Sequence, residues 1–400
     1  MAPPGFAPPS YSHDRIPTRF VTKEAPPPGA DTNTRAYLIF FSFLSLAISL
    51  TTFVILQLRT LYSRLPSRAE TRLTHPNLHK HIRVYALLAI CSVVTVWYYE
   101  VQYFKVSYLT WVRWRSYYDL EEHQMHWGLW LKETSLFKEG WEIAVVGNAR
   151  YWWTHQIFFF ACGLGLSLEQ KGIRRGIKHA WAFMLLGQVV SVAFATNLYL
   201  LSLLLSAPST MTTTPSKKTV EVHQKKWLGP WLFSLLMIVF TEGPAYMLAD
   251  EHYWYHETDF LPMIITPHVA LLFLPIARAL LPSTLFTDSS VEFAGTVYGY
   301  LWGATIFGGG LLLARMTAIS YNYSGFRGIW DALLEAPAVS SIAFDVIFCW
   351  IAWGVWWSIQ GRRPSDPLKD KEEDGEVNDG SIVGSSQYEP VRDNEGVRRR

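Results

Sequence analysis

The sequence is poor in charge and in cysteine, and each shortage removes a class of protein. Of 400 residues only 17% are Asp, Glu, Lys or Arg, against about a quarter in an average soluble chain. Lys and Arg number 35 and Asp and Glu 33, a formal net charge of +2. Nothing in that balance concentrates positive charge, so no nucleic-acid partner is expected. There are 3 cysteines, Cys91, Cys162 and Cys349, each inside an apolar stretch where a free thiol behaves as a small hydrophobe. No Cys-x-x-Cys pair occurs, which argues against a structural zinc site or a disulfide framework. An apolar stretch of signal-peptide length is missing near Met1. No repeat of fixed period runs through the chain.

What is abundant is apolar and aromatic. Hydrophobic residues make up 50% of the chain, and 18 Trp, 20 Tyr and 23 Phe contribute 15% as aromatics. The mean hydropathy of +0.11 is modest only because polar ends dilute apolar runs. About eight such runs are long enough for a helix to cross about 30 Å of hydrocarbon. They cover 36–58, 82–104, 152–168, 179–206, 227–249, 260–281, 294–316 and 336–360. Spanning helices close their own backbone hydrogen bonds, whereas barrel strands would be shorter and alternate in polarity. Aromatics crowd the run ends, as in Trp97-Tyr98-Tyr99, Trp152-Trp153, Trp227, Trp231 and Trp356-Trp357, which fits interfacial belts. The expected fold is therefore an all-α integral membrane protein, a polytopic bundle of about eight transmembrane helices with seven as an open alternative.

Three segments fall outside the runs. Residues 1–34 carry Pro3, Pro4, Pro8, Pro9, Pro17, Pro26, Pro27 and Pro28, and 361–400 is charged; both are expected to be disordered. The bundle then occupies 35–360, its first run acting as an uncleaved anchor. Within it, 105–150 mixes charge with Trp111, Trp114, Trp127, Trp130 and Trp141 and reads as an amphipathic surface segment. The first loop holds Arg59, Arg64, Arg68, Arg72, Lys80 and Arg83, and the third holds Lys171, Arg174, Arg175 and Lys178. Both face one side of an eight-span chain, which makes that side cytoplasmic. The same count places Arg362 and Arg363 on the lumenal side, a conflict that keeps seven spans open. It also puts the sequon Asn322-Tyr323-Ser324 in the cytoplasm. The expected location is a multi-pass membrane, the endoplasmic reticulum.

Ionisable groups inside a span are costly and point to function. Glu242 lies in Phe240-Thr241-Glu242-Gly243-Pro244, where Pro244 predicts a kink. Asp345 lies deep in the last run between Phe344 and Phe348. Either could form a structural bridge to Arg278 or Arg315. Glu100 sits near the end of the second run. His179, Gln188 and Asn197 recur at a spacing that puts them on similar faces of one helix. His155 and Gln156 begin the third run, and His268 follows Pro267. Amides at these depths also serve as interhelical glue, and histidines near interfaces need no function.

An isolated carboxylic acid in an apolar, aromatic cavity stays protonated near neutrality and can donate a proton. Aromatic faces stabilise a nearby cation by about 1–2 kcal/mol each when dry. A water-free pocket protects a reactive intermediate. Together these describe a protonation-initiated polyene cyclase, with Glu242 and Asp345 as catalytic candidates and a second basic group removing the final proton. Gln156, Gln188, Asn197 and His155 are the candidate substrate-binding residues.

The stretch Trp152-Trp153-Thr154-His155-Gln156, then Gly172 through Ala182 with Arg174-Arg175-Gly176, then Gly187-Gln188 and Ala195-Thr196-Asn197-Leu198-Tyr199, resembles fungal membrane-bound terpene cyclases of the ascofuranone, ascochlorin and macrophorin pathway type. The likeness covers 152–199 closely and the eight-span outline loosely. It implies cyclisation of the farnesyl-type chain of a meroterpenoid precursor, at an epoxide or alkene, without metal or redox cofactor. A prenylated small molecule, the lipid bilayer, and an upstream membrane prenyltransferase and epoxidase would be its partners. No catalytic residue is carried over from the resemblance. Membrane cyclases built on prenyltransferase scaffolds need Asp-rich motifs to hold magnesium on a diphosphate, and no apolar run here contains DxxxD or DDxxD.

Two other classes compete. A di-iron oxygenase would need histidine clusters at one face. His75, His79 and His81, and His252 and His256 with Glu251, Glu257 and Asp259, share a side in the eight-span chain. A transporter of a small lipophilic metabolite would explain Gly308-Gly309-Gly310 and the Pro-broken fifth and sixth runs as discontinuous helices. Glycines at helix contacts explain the same residues more simply.

Overall fold

A computed structural model describes residues 33–65, 77–115, 125–172, 175–206, 231–253, 259–280 and 291–360. Of the segments expected to be disordered, 361–400 and residues 1–32 of 1–34 lie outside them, while Asn33 is described and Thr34 opens the first helix. The regular elements among the described residues are all helical. In chain order they are α1 (Thr34–Ser63), α2 (Leu78–Arg115), α3 (Trp127–Glu133), α4 (Leu136–Val145), α5 (Asn148–Thr154) and α6 (Gln156–Ser167). A π turn, Leu168–Gly172, continues α6. Then follow α7 (Ala180–Val189), α8 (Val192–Leu205), α9 (Trp231–Met247), a short 3-10 turn (Glu251–Tyr253), α10 (Phe260–Leu280), α11 (Val291–Ala332) and α12 (Pro337–Gln360). The chain divides at Trp353, and residues 354–360 carry α12 on as helix.

Five of these helices are long and apolar enough to cross a membrane: Thr34–Ser63, Leu78–Trp114, Phe260–Arg278, Gly295–Ala332 and Pro337–Ile359. Two outrun the apolar run that seeded them. The second run continues without a break to Arg115, so the first turns of the expected surface segment 105–150 belong to α2. The seventh extends to Ala332, broken only at Gly325, whose φ of 64° is open to glycine.

Side-chain contacts fix which way each helix runs. Gln57, late in α1, donates to Lys178 O, and Phe53 meets His179 edge-on; Phe40, early in α1, meets Phe104 late in α2. Arg59, Arg64, Lys80, Lys171, Arg175 and Lys178 share the first of these ends, the basic end. Tyr85 donates to Ala352 O and Ser341 to Val96 O, so α2 and α12 are antiparallel. At the opposite end the last turns of α2 hold α3 and α4: Trp111 Nε1 donates to Glu133 at 2.9 Å and Tyr103 OH to Leu136 O at 2.7 Å. From there α5 and α6 return to the basic end. Tyr151 donates to Ala245 O near the end of α9, Glu169 of the π turn pairs with Arg278 of α10, and Trp302 of α11 donates to Gln170. The later part of α11 comes back against α5, with Trp152 on Thr317 and Ser320 on Asn148 O.

The fourth apolar run does not form one helix. Residues 179–206 fold as a hairpin, with α7 and α8 of 10 and 14 residues, about 15 and 21 Å at 1.5 Å per residue. Neither is long enough to cross about 30 Å of hydrocarbon. They lie antiparallel: Phe183 meets Tyr199 at 5.9 Å, and a Cβ on Gly187 would stand 3.5 Å from that of Ala195. Both arms reach the basic end, where Arg175 donates to Leu203 O. The turn falls at Val190-Ser191, where Ser191 is extended (φ −177°, ψ 136°) and its hydroxyl accepts from Phe194 N. Such a backbone break is tolerated at membrane depth when protein covers it, and every residue of α8 is buried. The single-span expectation for 179–206 is therefore corrected, and so is the polar stripe of His179, Gln188 and Asn197. His179 stands before α7, Gln188 near the tip, and Asn197 on the returning arm.

Candidate functional site

The two deep carboxyls occupy different settings. Asp345, midway along α12, receives the Ser191 hydroxyl at 2.7 Å and the backbone N–H groups of Val192 at 2.9 Å and Ala193 at 2.7 Å. It caps α8 from another helix, satisfying donors that have no intrahelical partner and facing the positive end of the helix dipole. Its oxygens are committed to that task.

Glu242 has no such partners. It sits on α9 two residues before Pro244, only 8% exposed, between α6 and α11. Its Oε2 packs on Gly308 so closely that a Cβ there would approach to 3.1 Å. Beside it are the Thr305 hydroxyl and the Cys162 thiol, and the thiol also faces Thr241. These groups touch without aligned hydrogen bonds: Glu242 Oε1, Thr305 Oγ1 and Thr241 Oγ1 are buried and without a partner among the described residues. Unsatisfied buried polar atoms are few in folded proteins. Arg278 is held by Glu169, and Arg315, whose charge reaches Tyr151 and Tyr246, makes no ion pair with Glu242 among the described residues.

Phe159 connects Glu242 to His155. Its ring packs on Gly309, lies near the Gly308 contact, and meets Tyr246 at 6.4 Å and His155 at 6.5 Å, both edge-on. Tyr246 donates to Gly308 O. His155 is wholly buried, not interfacial as its position in the run suggested. Its Nδ1 contacts Tyr151 O at 2.8 Å. A carbonyl only accepts, so Nδ1 carries the hydrogen and Nε2 presents a bare lone pair, buried with no partner among the described residues. An acid, a base and two aromatic rings thus cluster where α6, α9 and α11 meet.

The remaining candidates scatter. Gln156 donates to Trp152 O and accepts from Trp350 Nε1 at 2.8 Å, so it ties α6 to α12. Asn197 donates to Ala193 O within α8, leaving Oδ1 unpartnered among the described residues. Gln188 reaches His268 on α10. Glu100 accepts from Ser341. Thr305, Phe159 and Tyr246 went unremarked in the sequence, although the triple glycine at 308–310 marked the surface they close on.

The histidine clusters do not share a face. His79 and His81 open α2 at the basic end, whereas His252 follows α9 beside Asn148 at the opposite end; His75 and His256 lie outside the described residues. The hairpin is the cause: both of its arms reach the basic end, and α9, which follows, ends at the opposite one, where Tyr151 donates to Ala245 O. Among the described residues no three His, Cys, Asp or Glu side chains gather as metal ligands. A groove of about 620 Å³ between α9 and α10, lined by Met237, Phe240, Ile265, Val269 and Phe273, offers apolar contact alone. Its one hydroxyl, Thr266, turns back onto Pro262 O.

Comparison of the chain with known protein families, with characterised proteins and with solved structures finds no match in any of the three.

Proposed function

We propose that the protein is a multi-pass membrane cyclase that closes rings in a farnesyl-type chain by protonation. The observation that carries this reading is the Glu242 carboxyl, buried without a cation and joined through Phe159 to the bare Nε2 of His155. Glu242 gives its proton to a terminal epoxide or alkene, and the chain's π bonds attack in turn. Phe159 and Tyr246 stabilise the migrating positive charge, and His155 Nε2 takes the last proton. No atom is gained or lost, so the product is an isomer of the substrate. The likeness of 152–199 to fungal meroterpenoid cyclases supports a prenylated aromatic or cyclohexenone as substrate, made by an upstream prenyltransferase and epoxidase in the endoplasmic reticulum.

The chain crosses the bilayer with α1, α2, α5–α6, α9, α10, α11 and α12, seven passes with one re-entrant hairpin. Its basic end faces the cytoplasm. Sequence charge supports that orientation: Lys217, Lys218, Lys225 and Lys226 lie between α8 and α9, and Arg362 and Arg363 follow α12. The link between α9 and α10 carries Asp250, Glu251, Glu257 and Asp259 and no Lys or Arg.

Microsomes containing the protein, given an epoxy-farnesylated phenol without added metal or NADPH, should form a cyclic product of unchanged mass. Glu242→Gln should lower the rate at least about 100-fold, the usual weight of a general acid, with expression unchanged. Normal cyclisation by that variant would overturn the assignment. A second reading, transport, is favoured by the half-helix that begins at mid-depth. Facilitated flux of the substrate across vesicles without conversion would select it.

A further inference from the structure

Across α6 from Glu242 lies a second buried polar recess that the cyclase chemistry does not use. Adjacent residues of α6 face the two places: Phe159 turns to Tyr246 and Gly309, while Phe158 turns to Trp141 of α4, 5.8 Å between rings. At the centre of the recess is His268, which follows Pro267 on α10. Its ring lies 6.0 Å from that of Trp141 and 5.7 Å from that of Phe137. Its Nδ1 is hydrogen-bonded to Gln188 Oε1 at the tip of the hairpin.

That bond sets the chemistry. Gln188 Nε2 points at Met184 Sδ, 3.9 Å away, so the amide oxygen faces the ring and Nδ1 must be the donor. Nε2 is left as an acceptor, buried and without a partner among the described residues. The rings of Trp141 and Phe137 flank it, and Phe137 is 50% exposed. A buried acceptor without a donor is destabilising, and a molecule that supplies one hydrogen removes the penalty. An ammonium ion would have to shed its hydration to enter such an apolar setting. A neutral hydroxyl does so at far smaller cost, and its apolar body would meet the aromatic rings of Trp141 and Phe137.

We propose that this recess binds the hydroxyl group of a lipophilic molecule, with His268 Nε2 as its acceptor and Gln188 as the residue that fixes the tautomer. The test needs no turnover, so its result does not depend on cyclisation. Full-length protein in micelles is titrated with 4-dodecylphenol and with its methyl ether, which has the same body but no hydrogen to donate. The wild-type preference for the phenol is then compared with that of His268→Leu. Because the comparison is between proteins, unequal partition of the two probes into micelles cancels. Replacing the acceptor should reduce the preference about tenfold, as one buried hydrogen bond dictates. Gln188→Met should reduce it in the same direction and serves where His268→Leu fails to fold. Trp141→Ala should weaken both probes alike and keep the preference. A preference unchanged in both His268→Leu and Gln188→Met would overturn the proposal and leave the recess a packing defect.

Discussion

Asp345 and Glu242 show how much a side chain's neighbours decide about its chemistry. Both are acids deep in apolar helices, but one receives three hydrogen bonds and the other none of normal geometry. Substitution should separate them by kind of damage. Asp345→Ala leaves two backbone N–H groups and a hydroxyl buried and unpaired, a loss of about 3 kcal/mol. The expected outcome is a thermal midpoint lower by several degrees and reduced yield in the membrane, read by unfolding in micelles. Glu242→Gln should leave that midpoint nearly unchanged. Equal destabilisation by the two variants would contradict the division of roles. The sequence marked both acids, since a carboxylate in an apolar run stands out. It could not distinguish them, because the donors to Asp345 lie 152 to 154 residues away in the chain.

At the scale of elements, the hairpin was the hidden feature. Residues 179–206 are as apolar as a spanning helix and carry no proline before Pro208. The only local signals are Gly187, which lets the two arms approach, and Ser191, a good N-cap; neither outweighs the length of the run without Asp345. The flanking elements were legible, because their runs are uninterrupted and their length matches the bilayer. A labelling experiment separates the two folds. Cysteines placed singly at Lys178 and Ser206 should react with a membrane-impermeant maleimide from the same side. Labelling from opposite sides would restore the single span.

A second element-scale contact gives a pH response. The Arg150 guanidinium, at the start of α5, donates through two nitrogens to Glu335 in the turn before α12. That hydrogen bond, opposed by partial burial, holds the Glu335 carboxyl below its ordinary value of 4.5. A carboxyl held low in the folded state contributes stability above its unfolded value and loses it as pH falls through its folded value. Thermal stability should therefore drop on acidification below about pH 4.5, more steeply in wild type than in Glu335→Gln. The pair is partly exposed, so the difference should be small and shrink with added salt.

For the whole molecule, the hairpin reconciles charge with topology. By sequence order alone, an even number of crossings would separate Arg362 and Arg363 from the other basic segments, whereas the proposed seven would not. Under the proposed seven passes the Asn322 sequon would face the lumen, and among the described histidines His79 and His81 stand at the opposite end from His252. The two polar recesses then lie on either face of α6, beneath the aromatic-rich segment formed by α3 and α4. Phe137 is exposed there, and Trp127 is 51% exposed, as expected of groups resting at the headgroup level.

The dependence of α8 on Asp345 has a consequence for biosynthesis. The carboxylate belongs to the last of the described helices, 153 residues after Val192. At about 5–20 residues per second, the ribosome needs roughly eight to thirty seconds to supply it. During that interval the 179–206 segment leaves the ribosome as an apolar run with its cap missing, and the insertion machinery meets a sequence that reads as one span. The hairpin must either wait in a provisional arrangement or fold back once α12 arrives. Under the seven-pass proposal the orientation of the hairpin's second arm then depends on α12. A chain truncated before residue 345 should accumulate with Ser206 on the wrong side of the membrane.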